Sequence, residues 1–184
     1  MGSPSVEDQL KARGLELLGA CGALSQRAGL LQESALLSDF TPAEADVLGE
    51  SMLLVRAPPG LLLIAEDEAS DWMMLLLRGT VDVGKRKVGA GSDGDEPGDT
   101  TRLAVLREGA AIGEMSMFDG EPRYASCWAL SEVEAAVISR AAVGRLIKAQ
   151  PAVGAKLLVK LTQLLAQRLR NTSNQLVRLL QKQR

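Results

Sequence analysis

Between residues 51 and 139 the chain is cut into short apolar runs, each closed by turn residues within a few positions. MLLVRA is followed by Pro58-Pro59-Gly60, then LLLIAE and a polar turn, then WMMLLLRGTVDV; further on come RLAVL, YASCWAL and VEAAVIS. Their close spacing predicts an all-β barrel or roll of short strands. Residues 88–101 (VGAGSDGDEPGDT, then Thr101) have almost no apolar content and are expected to form a hairpin loop.

The flanks read differently. Leu10, Leu15, Leu17, Leu18, Leu24, Leu30, Leu31 and Leu36 recur at near-helical spacing, so residues 5–38 are expected to be helical, with glycines marking breaks. Thr41-Pro42-Ala43-Glu44 has the form of a helix start: a capping threonine, proline in the first turn and a glutamate to close a capping box. Ser139 is expected to cap a short helix to about Gln150, and Pro151 to open a second one running to the C-terminus. Leu158, Leu161, Leu165, Leu169, Leu176 and Leu179 form a stripe on that second helix, close to a coiled-coil seam with Thr172 in its long gap. Packing on the roll and pairing between two chains both explain the stripe; its length favours a dimer. The resulting divisions are 1–38, an N-terminal helical segment; 39–150, the roll; and 151–184, a dimerisation helix.

Composition excludes several functions. The chain contains no histidine, so His-based triads and HExxH zinc sites cannot form, and no nucleophile has an adjacent base. No enzyme activity, metal or prosthetic cofactor is expected. Cys21 and Cys127 are far apart and read as reduced thiols, consistent with a cytoplasmic protein. No apolar run approaches the ~20 residues of a membrane span. Aromatic residues are 3% of the chain, too few for base-stacking platforms. Residues 151–184 carry seven Lys or Arg and no acid, which reads first as a solvated helix face; direct DNA binding is not expected.

The segment with the most chemistry is GEMSMFDGEPRYAS, residues 113–126. Glu114 and Arg123 flank a short apolar turn between Gly113 and Gly120. An arginine presents a planar, two-pronged donor set to phosphate oxygens. Amides at a helix start can face the same anion, and a carboxylate accepts from a neighbouring sugar hydroxyl. The plainer alternative is that Arg123 and Glu114 pair with each other.

Residues from about Leu31 onward resemble the cyclic nucleotide-binding domain of the catabolite activator family and of cyclic-nucleotide-gated channels and kinases. The resemblance rests on Gly113-Glu114, Pro122-Arg123 and Ala125-Ser126, with Pro59-Gly60, Gly79 and Gly109 as weaker matches. It implies a mainly β fold with flanking helices: a double-stranded β-helix (jelly-roll) β-roll with N-terminal helices and B- and C-type C-terminal helices. It implies a regulatory module that binds a cyclic nucleotide, by resemblance cyclic AMP, and signals through its C-terminal helices to a separate effector protein. Glu114 would meet the ribose 2′-hydroxyl and Arg123 the cyclic phosphate. Gly113, Met115, Ser116, Tyr124 and Ala125 would complete the cradle, and Thr172 and Ser173 would contact the base, one of them from a second subunit of a homodimer. Three features depart from the family pattern. Tyr124 stands where Ala, Ser or Thr is usual, and a ring filling the pocket would make the roll a ligand-free scaffold. Asp67 and Ser70 stand where turn glycines are usual. The chain stops about a dozen residues after Ser173, without room for a helix-turn-helix.

Overall fold

The structure, a computed structural model, describes residues 4–87 and 100–182. The elements in chain order are α1 (Val6–Ala12), β1 (Glu16–Ala20), a 3-10 turn (Leu24–Gln26), α2 (Leu30–Glu33), α3 (Pro42–Glu50), β2 (Leu53–Ala57), β3 (Leu62–Ile64), β4 (Trp72–Arg78), β5 (Val81–Arg86), β6 (Thr100–Leu106), β7 (Ala111–Ile112), α4 (Glu114–Asp119), β8 (Ser126–Ala129), β9 (Val133–Ser139), α5 (Arg140–Ala149) and α6 (Pro151–Lys182). Two antiparallel sheets, ordered β1-β2-β9-β4-β7 and β3-β8-β5-β6, form the β-roll. The expected hairpin loop at 88–101 lies outside the described residues except for Thr100 and Thr101, which open β6.

The six apolar residues that open β4 are all buried because the strand has a hydrophobic layer on each side. With side chains alternating across the sheet, Trp72, Met74 and Leu76 join Val133, Ala135 and Val137 of β9 in the interior of the roll. Met73, Leu75 and Leu77 face the other way and join Leu48 of α3, Leu146 of α5, and Leu157 and Leu161 of α6. One strand thus fastens the helices to the roll.

The helix starts follow the local rules. Thr41 N–H donates to Glu44 Oε2 at 2.8 Å, and Glu44 N–H donates to Thr41 Oγ1 at 3.3 Å, closing the capping box. Ser139 Oγ accepts from Ala142 N–H at 3.1 Å.

The N-terminal segment departs from the helical expectation. α1 ends at Ala12, and Gly14 has φ +87°, a left-handed conformation that stops a helix at little cost for glycine. Residues 16–20 then form β1, with Leu17 opposite Val55 and Ala20 opposite Leu53. The leucines counted as helical spacing also fit strand and turn positions. Pairing with the free edge of β2 satisfies backbone groups that an isolated helix would satisfy no better, so tertiary context overrides propensity.

The body-facing side of α6 also differs from the expected stripe. Val153, Leu157 and Leu161 are buried, while Leu158 is half-buried. Two of the helix's basic residues are tied to the segment around α3. Lys160 Nζ donates to Asp39 Oδ2 at 2.8 Å and Ser38 Oγ at 2.9 Å; Lys156 Nζ donates to Glu44 Oε2 at 2.6 Å and the Asp39 carbonyl at 3.1 Å. From residue 167 onward the described helix is exposed. Among the described residues, no helix is long and apolar enough to cross a membrane.

Candidate functional site

The segment 113–126 closes one end of the roll. Gly113 (φ +81°) and Gly120 (φ +76°) bound α4, letting the chain turn sharply into and out of a six-residue helix. A Cβ on Gly113 would sit 2.4 Å from Arg123 Nη1, so this position needs glycine both for its backbone and for space. The amides of Met115 and Ser116 lie in the first turn, where no preceding turn supplies an acceptor. Ser116 is buried and Met115 exposed. Ala125 is half-buried, and Ser126 Oγ accepts from Glu66 N–H at 2.8 Å, joining this segment to the β3–β4 turn. In that turn Asp67 takes φ +66°, the left-handed conformation that a glycine would supply more easily, and its N–H donates to the Arg123 carbonyl at 2.9 Å.

Arg123 is 2% exposed. Its Nη1 donates to the Gly113 carbonyl and its Nη2 to the Trp72 carbonyl, both at 2.6 Å, and its guanidinium lies 4.5 Å from the Trp72 ring centre. Nε is buried with no hydrogen-bond partner among the described residues. Burial pulls its pKa down to about 10, with Cys127 and the carboxylates of Glu68, Glu114 and Asp71 acting in the other direction. It remains a cation at neutral pH, held by carbonyl dipoles and an aromatic face. A buried charge so held is costly, and the cost falls when an anion arrives.

Glu114 is 1% exposed and does not pair with Arg123. Its Oε1 accepts from Arg168 of α6, whose Nη2 also donates to the Ala111 carbonyl at 2.6 Å. Glu114 Oε2 is buried and unpartnered among the described residues. The site thus presents one unused acceptor and one unused donor.

The ring of Tyr124 does not plug the pocket. It is 57% exposed, with Lys85 Nζ 4.1 Å from its centre. Lys85 also donates to the Tyr124 carbonyl at 2.8 Å and pairs with Glu66 Oε1 at 3.0 Å, so the ring is drawn outward over β5. The scaffold reading built on an occluding tyrosine therefore loses its basis. Thr172 and Ser173 lie on the exposed part of α6.

Sequence reasoning missed Arg168, Lys85 and Trp72. A signal for Arg168 existed: Leu157, Leu161 and Arg168 are four and seven residues apart on one helix face, which places the arginine on the side that meets the roll. Trp72 and Lys85 carried no local signal.

The fold is thus a β-roll carrying a short helix beside a buried, charged arginine. The sequence profile of the cyclic nucleotide-binding domain matches residues 54–150, more than half of the chain, and the chain belongs to that family. The CRP-like cAMP-activated global transcriptional regulator of Mycobacterium tuberculosis is 29% identical over 151 residues, covering 82% of this chain and 62% of that protein. The chain thus spans less than two thirds of that relative's length. A cAMP-dependent protein kinase regulatory subunit from Yarrowia lipolytica is 26% identical over 140 residues, covering 76% of this chain and 34% of that one. Among solved structures, a cyclic nucleotide-binding domain from Methylobacillus flagellatus KT aligns with a TM-score of 0.74 and 33% identity over 89% of this chain and 88% of that one. The Thermus thermophilus catabolite activator protein aligns with a TM-score of 0.67 and 26% identity over 78% and 62%. The curated relatives are named as regulators, not enzymes.

Proposed function

We propose that this domain is a sensor for a cyclic nucleotide, cyclic AMP by preference, whose bound state is passed through α5 and α6 to a separate effector. The observation that carries it is the pair of unused buried groups, Arg123 Nε and Glu114 Oε2, in one short motif. Arg123 takes the cyclic phosphate, with the amides of Ser116 and Tyr124 beside it, and Gly113, Met115 and Ala125 shape the wall. Glu114 takes the ribose hydroxyl. Arg168 makes the connection to output: it already ties Glu114 to α6, so a ligand on Glu114 changes the restraint on that helix. Such a change is regulatory if the ligand binds the two helix arrangements with different affinity.

The preference for cyclic AMP rests on Thr172-Ser173 and on relatives named for that nucleotide. Thr172 and Ser173 project away from the roll with Leu169, Leu176 and Leu179, all more than half exposed. A second copy pairing along residues 151–184 would cover the leucines and bring these hydroxyl groups to a base. The roll, which takes in β1 as well as the expected span 39–150, and this helix are then the working units.

The test is calorimetry and thermal shift with cyclic AMP, cyclic GMP and cyclic dinucleotides on the wild type and Arg123→Ala. A ligand at 100-fold its Kd stabilises by about 2.7 kcal/mol, several degrees for a chain of this size. Absence of any shift, or an equal shift in Arg123→Ala, overturns the proposal.

A further inference from the structure

Arg123 is held by Gly113 and Trp72, and contacts behind Trp72 lead to α1, which lies outside the family's matched region, 54–150. Trp72, itself 2% exposed, gives Arg123 a carbonyl at 2.6 Å and a ring face at 4.5 Å. The indole N–H of Trp72 donates to Gln9 Oε1 on α1 at 3.1 Å. The backbone leads to the same helix: Arg123 N–H donates to the Glu68 carbonyl at 2.9 Å, and the Glu68 carboxylate pairs with Arg13, the C-cap of α1.

α1 is lightly docked. Of its seven described residues Leu10 is buried, and the helix lies between two cavities of about 1150 and 620 Å³, both lined by Gln9 and Glu68. A helix this short has little stability of its own, so its contacts with the roll decide whether Gln9 stays in place.

We infer that α1 is a positioning element for the anion site: Gln9 orients the Trp72 indole, and Trp72 orients the Arg123 guanidinium. The consequence for ligand affinity rests on the cyclic-nucleotide reading above; the bracing of Arg123 does not. Linkage makes the effect reciprocal. A ligand that needs Arg123 in place strengthens the docking of α1, and a partner that draws α1 away weakens ligand binding by the same factor.

The test uses the full chain with Gln9→Leu, which removes the acceptor, Gln9→Glu, which keeps one, and Trp72→Phe, which keeps a ring face but no N–H. The first readout needs no ligand: NMR of the rate of guanidinium rotation at Arg123. Gln9→Leu and Trp72→Phe should speed rotation, and Gln9→Glu should restore the wild-type rate. The second readout is calorimetry with cyclic AMP, where Gln9→Leu should weaken binding by roughly three- to tenfold, the worth of one hydrogen bond, with Gln9→Glu close to wild type. Rotation unchanged in both Gln9→Leu and Trp72→Phe overturns the inference. A wild type that binds no nucleotide defeats the functional proposal instead, and the rotation rates still decide the brace. If Gln9→Leu does not fold, Trp72→Phe carries both readouts.

Discussion

Gly113 and Arg123 show how one atom's worth of space sets a site. Adding a methyl group at Gly113 puts a Cβ 2.4 Å from Arg123 Nη1 at a backbone φ of +81°. Gly113→Ala should therefore cost about 1–3 kcal/mol in chemical denaturation and also displace the guanidinium, so that nucleotide titration loses affinity beyond the loss of stability. The charge of Arg123 predicts a pH profile. A base whose folded-state pKa lies below its unfolded value binds fewer protons when folded. Its charged form burdens the fold below pH about 10, and that burden lifts as pH rises above it. Anion affinity runs the other way and should fall as pH rises through about 10, read from a titration with a phosphodiester across that range. At this scale the sequence pointed to Glu114 and Arg123, which sit in one short motif. Their partners were not legible: the guanidinium is held by carbonyls, which any residue supplies, and Glu114 meets an arginine 54 positions away.

Single elements divide into those written locally and those decided by their neighbours. The capping box at Thr41 and the Ser139 cap follow from a few adjacent residues and were readable in advance. β1 was not, because its pairing partner β2 begins more than thirty residues later. β9 joins the N-terminal segment to the sheet through Glu134, which accepts from Arg27 at 2.9 Å and from Arg56 at 3.3 Å. The hydrogen bond from Arg27 holds the Glu134 carboxyl below its ordinary 4.5, with Arg56 adding to it against a burial effect of opposite sign. A depressed acid stabilises the fold above its unfolded pKa. This contribution should be intact at neutral pH and fade as pH falls below 4.5. Glu134→Gln should lose up to about 1 kcal/mol at neutral pH and flatten this part of the acid-denaturation curve. α6 divides in the same way. Leu161→Ala, at the core of the helical cluster, should cost about 2–5 kcal/mol by thermal or chemical melting.

For the whole molecule the open question is what covers the far half of α6. Leu169, Leu176, Val177, Leu179 and Leu180 are each more than half exposed along one long helix. Replacing Leu176 and Leu179 by lysine should leave the circular dichroism of the folded roll unchanged while converting a dimer to a monomer in sedimentation velocity. If Thr172 and Ser173 act across that dimer, the same variant should bind cyclic AMP more weakly. An unchanged sedimentation coefficient would remove the dimer proposal. The sequence by itself determined the β-roll, its helix starts and the two charges of the ligand motif, because turn chemistry, capping and side-chain alternation act over a handful of residues. Only the tertiary structure decided how Tyr124 turns, that Arg168 holds Glu114, and that Gln9 reaches Trp72 across 63 positions. Those contacts depend on which surfaces the packed sheets and helices bring together, and no local spacing encodes that.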